Sequence, residues 1–167
     1  MTDAASKPAQ TLDRRIDRRF ARYEEHHRNP INRAIHWLAV PAIYWSVLAL
    51  LMEVPFPDAL RFVPGLDWGL VAGLAMVVAY LLHSRPLAIG MAIMTGVFLA
   101  IAWGYASLGG TPLWQMAIVV FLVAWVFQFI GHKIEGQRPA FFDDLRFLAI
   151  GPGWVLAQLY RLLGIRY

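Results

Sequence analysis

Between Arg85 and Lys133 the chain carries no Asp, Glu, Lys or Arg. This uncharged stretch limits the possible folds more than any other feature. It is too long for one crossing of a hydrocarbon layer about 30 Å thick, and it lacks the polar face of a soluble helix. The segment SLGGTP, Ser107 to Pro112, supplies the turn that divides it. Two spans are expected, near Leu87–Ala106 and Leu113–Gly131. Two more precede them. Ala34–Met52 is free of full charges and long enough to cross as a helix, and Trp68–Ser84 repeats the pattern over a slightly shorter length. The Pro- and Gly-rich VPFPDALRFVPGL between them reads as a loop. With 59% hydrophobic residues and seven Trp, the apolar surplus must face lipid. The expected class is all-α: an integral membrane four-helix bundle. It forms a single domain over residues 1–167, with a basic head at 1–33, the spans at 34–132 and interfacial elements at 133–167.

The charges orient this bundle. Eight Lys and Arg precede the first span, one lies in the first loop, one is Arg85, none is in the third loop and five follow the fourth span. The excess places both termini in the cytoplasm of a multi-pass protein, in a bacterial inner membrane or the endoplasmic reticulum. No cleavable signal peptide is expected, because the first 33 residues mix Arg with Asp and Glu and hold no apolar segment. The formal charge of +4 does not indicate nucleic acid, since the basic residues flank apolar blocks. The lipid bilayer is the expected partner.

Both ends of the chain read as surface elements. Leu12, Ile16, Phe20 and Tyr23 recur at helical spacing with Arg between them. That spacing fits an amphipathic helix on anionic headgroups or a solvated charged helix. After the fourth span, an apolar segment is interrupted by Gly151, Pro152 and Gly153. Each half is too short to cross, so two interfacial or re-entrant helices are expected, placed as a lid. Trp37, Trp68 and Trp154 read as aromatic-belt anchors.

The chemistry-bearing residues collect at one membrane face. There is no Cys, so a metal would have to be held by His and carboxylate. In HHRNPINRAIH, Asn29 and Pro30 read as N-cap and first helical residue, leaving His26 and His27 in the preceding loop. Asn32 and His36 then share one helix face. At the end of the fourth span, Gln128, His132 and Glu135 share another, with Gly131 permitting close approach. His83, at the end of the second span, comes to the same side. Imidazoles with one carboxylate and open coordination positions suit non-haem Fe(II), and zinc can use the same set. Asn32 and Gln128 are expected to hydrogen-bond behind the ligands. Arg138 pairs with a substrate carboxylate or a lipid phosphate. Asp143 and Asp144 read as a charge pair at the start of the next helix.

The skeleton of His27, Asn32, His36 and Pro41, together with WVFQFIGHKIEGQRPAFFDDL from Trp125 to Leu145, resembles the 2-hydroxy fatty acid dioxygenase family. Its type member is a fungal endoplasmic-reticulum enzyme, and it has bacterial relatives. The resemblance implies Fe(II)- and O2-dependent α-oxidation of a 2-hydroxy fatty acid to the acid one carbon shorter. By motif it assigns the required histidines to His27, His36 and His132. Glu135 is the counterpart of the family's glutamate, offset by one residue, and His83 has no equivalent in the motif. Three rivals compete. A membrane zinc hydrolase would use Glu135 as general base. The integral di-iron hydroxylases need more histidine boxes than five histidines fill. In a transporter or scaffold, the histidines would only satisfy polar neighbours.

Overall fold

The computed structural model describes residues 15–25, 27–60, 65–136 and 146–167. Six α-helices and no strand occur among them: α1 Arg15–Glu25, α2 Pro30–Met52, α3 Trp68–Leu81, α4 Arg85–Ser107, α5 Leu113–Glu135 and α6 Arg146–Leu162. Side-chain caps fix several starts. Asn29 accepts from the Ile31 amide at 2.9 Å, with Pro30 opening α2, and Asp67 accepts from the Leu70 amide at 2.8 Å at the start of α3. Three helices, α2, α4 and α5, are long and apolar enough to cross a membrane.

The second expected span is shorter than its apolar run. α3 stops at Leu81, because His83 and Ser84 donate their amides to the Tyr80 carbonyl and Ser84 then caps α4. Its 14 residues cover about 21 Å, less than the hydrocarbon layer.

The helices alternate in direction around α2. Gly69 at the start of α3 lies against Leu48 and Met52 at the end of α2, while Gly131 near the end of α5 lies against Asn32 near the start of α2. A Tyr44–Thr95 hydrogen bond of 2.8 Å joins α2 to α4. The start of α2 and the ends of α3 and α5 therefore share one side. α1 and α6 close that side.

Two terminal elements depart from expectation. The apolar face of α1 is covered by protein: Ile16, Phe20 and Tyr23 are buried in the core with Trp154 of α6. Leu12 lies outside the described residues. α6 runs unbroken through Gly151-Pro152-Gly153. Proline at 152 removes the amide that would reach the Leu148 carbonyl, and one residue on the Tyr80 hydroxyl donates to the Ala149 carbonyl at 2.8 Å, tying this turn to α3. Gly153 admits that phenol, since a Cβ would collide with the Tyr80 ring and hydroxyl. Packing thus compensates where local propensity favours a break. Trp154, expected in the aromatic belt, is fully buried. Gly153→Ala is expected to destabilise the protein by about 1–3 kcal/mol through overpacking, read as a lower thermal midpoint in detergent.

Candidate metal centre

Three histidines from separate segments meet beneath α6. His27 follows α1, His36 lies in the second turn of α2 and His132 in the last turn of α5. All three are buried, and each offers a ligand atom within 4.8 Å of the others. Ring centroids are 4.2 Å apart for His27 and His36, 4.9 Å for His36 and His132, and 5.2 Å for His27 and His132.

The local chain geometry selects the tautomers of two of them. His27 Nδ1 lies 2.7 Å from the Tyr23 carbonyl, and His36 Nδ1 lies 2.9 Å from the Asn32 carbonyl. A carbonyl only accepts, so in both rings Nδ1 carries the proton and Nε2 keeps its lone pair. For His27 the accepting carbonyl belongs to the last turn of α1, where the helix leaves it without an intrahelical donor. These hydrogen bonds fix ring orientation in the manner usual behind metal-binding imidazoles. Imidazoles gathered within reach of one point, with no fourth His or carboxylate in the group among the described residues, fit a divalent first-row ion that keeps open positions.

Glu135 occupies a different place. One carboxylate oxygen accepts from the Arg28 amide at 3.0 Å; the other accepts from the Asn29 amide at 2.8 Å and from Asn32 Nδ2 at 3.2 Å. The carboxylate ties the loop carrying His27, and the first turn of α2, to the end of α5. It is not in the metal-ligating group. Asn32 is fully buried and bridges Glu135 to the His36 ring through its own carbonyl. Gly131 permits this approach, because a Cβ there would collide with Asn32 Oδ1.

A cavity of about 450 Å³ opens below the imidazoles. His27, His36, His132 and Gln128 stand at its head, and Val40, Ile43, Leu48, Met76 and Phe121 are among its apolar walls. This size lies within the range of small-molecule sites. No Lys or Arg lines it among the described residues.

Of the residues singled out in the sequence, His27, His36 and His132 converge, with Gln128 beside them and Asn32 and Glu135 behind. His83 does not join them. Its Nδ1 donates to the Ala79 carbonyl at 2.8 Å, an exposed cap on the end of α3. It makes the same local bond as His27, but no neighbouring segment brings other imidazoles to it. His26, Arg138, Asp143 and Asp144 lie outside the described residues. The sequence reading missed Tyr23 as a site residue. Its ring stacks on His27 at 4.2 Å and 9°, and burial, with Tyr80 nearby, pushes its phenol far above the ordinary value. The four-residue spacing from Tyr23 to His27 was the available signal. Trp154 also backs His27, at 5.7 Å.

Comparison with known proteins places the chain in a family. The chain is 26% identical over 146 residues to the 2-hydroxy-palmitic acid dioxygenase MPO1 of Saccharomyces cerevisiae, an alignment covering 85% of this chain and 78% of the yeast protein. No solved structure matches it. The profile of the 2-hydroxy-palmitic acid dioxygenase Mpo1-like family matches residues 14–163, and the chain belongs to that family.

Proposed function

We propose that this protein is a non-haem iron dioxygenase that shortens 2-hydroxy fatty acids by one carbon, working at the cytoplasmic face of the membrane. The observation that carries this reading is the meeting of His27, His36 and His132 at the head of an apolar cavity. The family membership and the dioxygenase name of the yeast relative point the same way. The three imidazoles are the metal ligands in this reading. When bound, Fe(II) supplies the redox chemistry that lets O2 cleave the bond between C1 and C2. The atoms balance without a further reductant: C2 rises from alcohol to carboxylic acid, C1 leaves as CO2, and O2 accepts the electrons, with one oxygen leaving as water.

The chain's own residues bind and orient. Apolar side chains of α2, α3 and α5 hold the tail, which fixes the polar head against the imidazoles and replaces diffusive encounter by position. Gln128, buried at the head, offers amide hydrogen bonds to the substrate's hydroxyl or carboxylate. Tyr23, Trp154 and α6 exclude water from above. Arg138 is assigned to the substrate carboxylate on the strength of its position in the sequence motif. The zinc-hydrolase alternative needs Glu135 as base, yet both of its oxygens already accept from Arg28, Asn29 and Asn32.

The test is direct. Purified protein reconstituted with Fe(II) and given 2-hydroxypalmitate in air is expected to consume O2 and release pentadecanoate, and an iron chelator is expected to stop both. Unchanged substrate in the presence of iron-loaded, folded protein would overturn the assignment. Zinc as the sole retained metal, with hydrolysis and no O2 uptake, would favour the rival.

A further inference from the structure

The cavity beneath the imidazoles extends well down the bundle. Its wall on α2 runs from His36 to Leu48, and its wall on α5 runs from His132 back to Phe121. At 1.5 Å per residue, these walls descend about 18 Å and about 16 Å. Ala72 of α3 lines the same space, three residues after Gly69 and next to Gly73, where α3 closes on its neighbours. A Cβ on Gly69 would lie 2.7 Å from the Leu48 carbonyl oxygen and 2.6 Å from Met52 Cγ, and one on Gly73 would collide with the Thr95 methyl. These two glycines let the α3 backbone press onto α2 and α4. Leu48, buried in the core, fills the remaining gap.

We infer that the cavity is a tail channel of fixed length, with Leu48 and Ala72 as its floor, and that Ala72 determines which chain lengths the enzyme accepts. The inference rests on the reading of this cavity as the site of a 2-hydroxy fatty acid. An extended chain of single bonds advances roughly 1.2 Å per bond, so a depth of about 16–18 Å takes roughly 13 to 15 bonds. That is the tail length of 2-hydroxypalmitate beyond its oxidised carbon. Ala72 is the smallest side-chain-bearing residue at that level, and enlarging it shortens the channel without touching the imidazoles.

The experiment compares kcat/KM for 2-hydroxypalmitate and 2-hydroxylaurate in wild type and Ala72→Phe. Each buried methylene contributes about fourfold, so excluding three of them is expected to lower the palmitate-to-laurate ratio roughly 50-fold. Ala72→Leu, a mild change in a helix, serves if the phenylalanine variant does not fold; its ratio is expected to fall about fourfold to 15-fold. Displacement of a bound fluorescent fatty acid by palmitate and by laurate from metal-free protein gives the same ratio without turnover. Unchanged ratios in a folded variant overturn the channel. A wild type that oxidises neither hydroxy acid, while the displacement ratio still falls in the variant, overturns the dioxygenase reading and leaves the channel standing.

Discussion

Replacing His132 with Ala is expected to strip the metal from the protein and to lower turnover by about three orders of magnitude or more. The estimate follows from the role assigned to the ion, since such polarisation contributes several kcal/mol and each 1.36 kcal/mol is tenfold in rate. His132 is the one member of the trio supplied by α5; without it, His27 and His36 remain as a pair on the opposite wall. Ala is a strong helix former, and α5 stays anchored at this end by the Glu135 carboxylate. The helical circular dichroism should therefore persist while metal content after dialysis falls. His83→Ala supplies the contrast. Its ring donates to the Ala79 carbonyl at the exposed end of α3, so metal content and turnover should stay near wild type. Equal losses in the two variants would place the ion somewhere other than among His27, His36 and His132.

The spans were legible because a charge-free run has few ways to fold in lipid, and their starts were legible where a short polar residue precedes a proline. Asn29-Pro30 is the clearest case, opening α2 as its chemistry dictates. The end of α3 was not. Leu82 and His83 continue the apolar, uncharged pattern, yet the His83 and Ser84 amides close the helix on the Tyr80 carbonyl and the Ser84 side chain caps α4. Nor could the sequence separate lipid-facing from protein-facing aromatics, because in a bilayer both environments are apolar. Trp154 and Trp103 both sit in hydrophobic runs, but one is fully buried and the other is 42% exposed.

The two local rules that misled at the C-terminal end were overruled by partners distant in sequence. Gly151-Pro152-Gly153 would break an isolated helix. Here the Tyr80 hydroxyl bonds the Ala149 carbonyl, next to the one Pro152 leaves without its amide, and the glycines admit Tyr80 and Val40 against the α6 backbone. Two of the three clustered histidines stood out because His36 and His132 each carry a polar companion four residues earlier, Asn32 and Gln128, which is unusual in spans so poor in polar groups. The cavity was not readable at all. Its walls come from α2, α3, α5 and α6, and every apolar wall residue has the composition of an ordinary lipid-facing position.

Glu135 separates a ligand from a residue that holds ligands in place, and its replacement tests that distinction. Glu135→Ala is expected to reduce metal affinity and turnover about 10- to 100-fold, the range usual for partners standing behind a metal site. The carboxylate bonds the end of α5 to the Arg28 and Asn29 amides, one and two residues after His27, so its loss loosens the His27 loop from α5. The fold should lose less than the site does. The Arg28 amide is exposed and the Asn29 amide only partly buried, so water can replace the carboxylate there; a buried donor left unsatisfied would cost more. Glu135→Gln should recover little, because an amide offers one acceptor oxygen to three donors and turns a donor of its own toward the loop. A direct ligand would behave differently on one readout. If Glu135 coordinated the ion, its removal would change the spectroscopic signature of a bound Co(II) or Fe(II) centre; as a positioning residue it should lower affinity and leave the three-imidazole spectrum of the saturated protein in place.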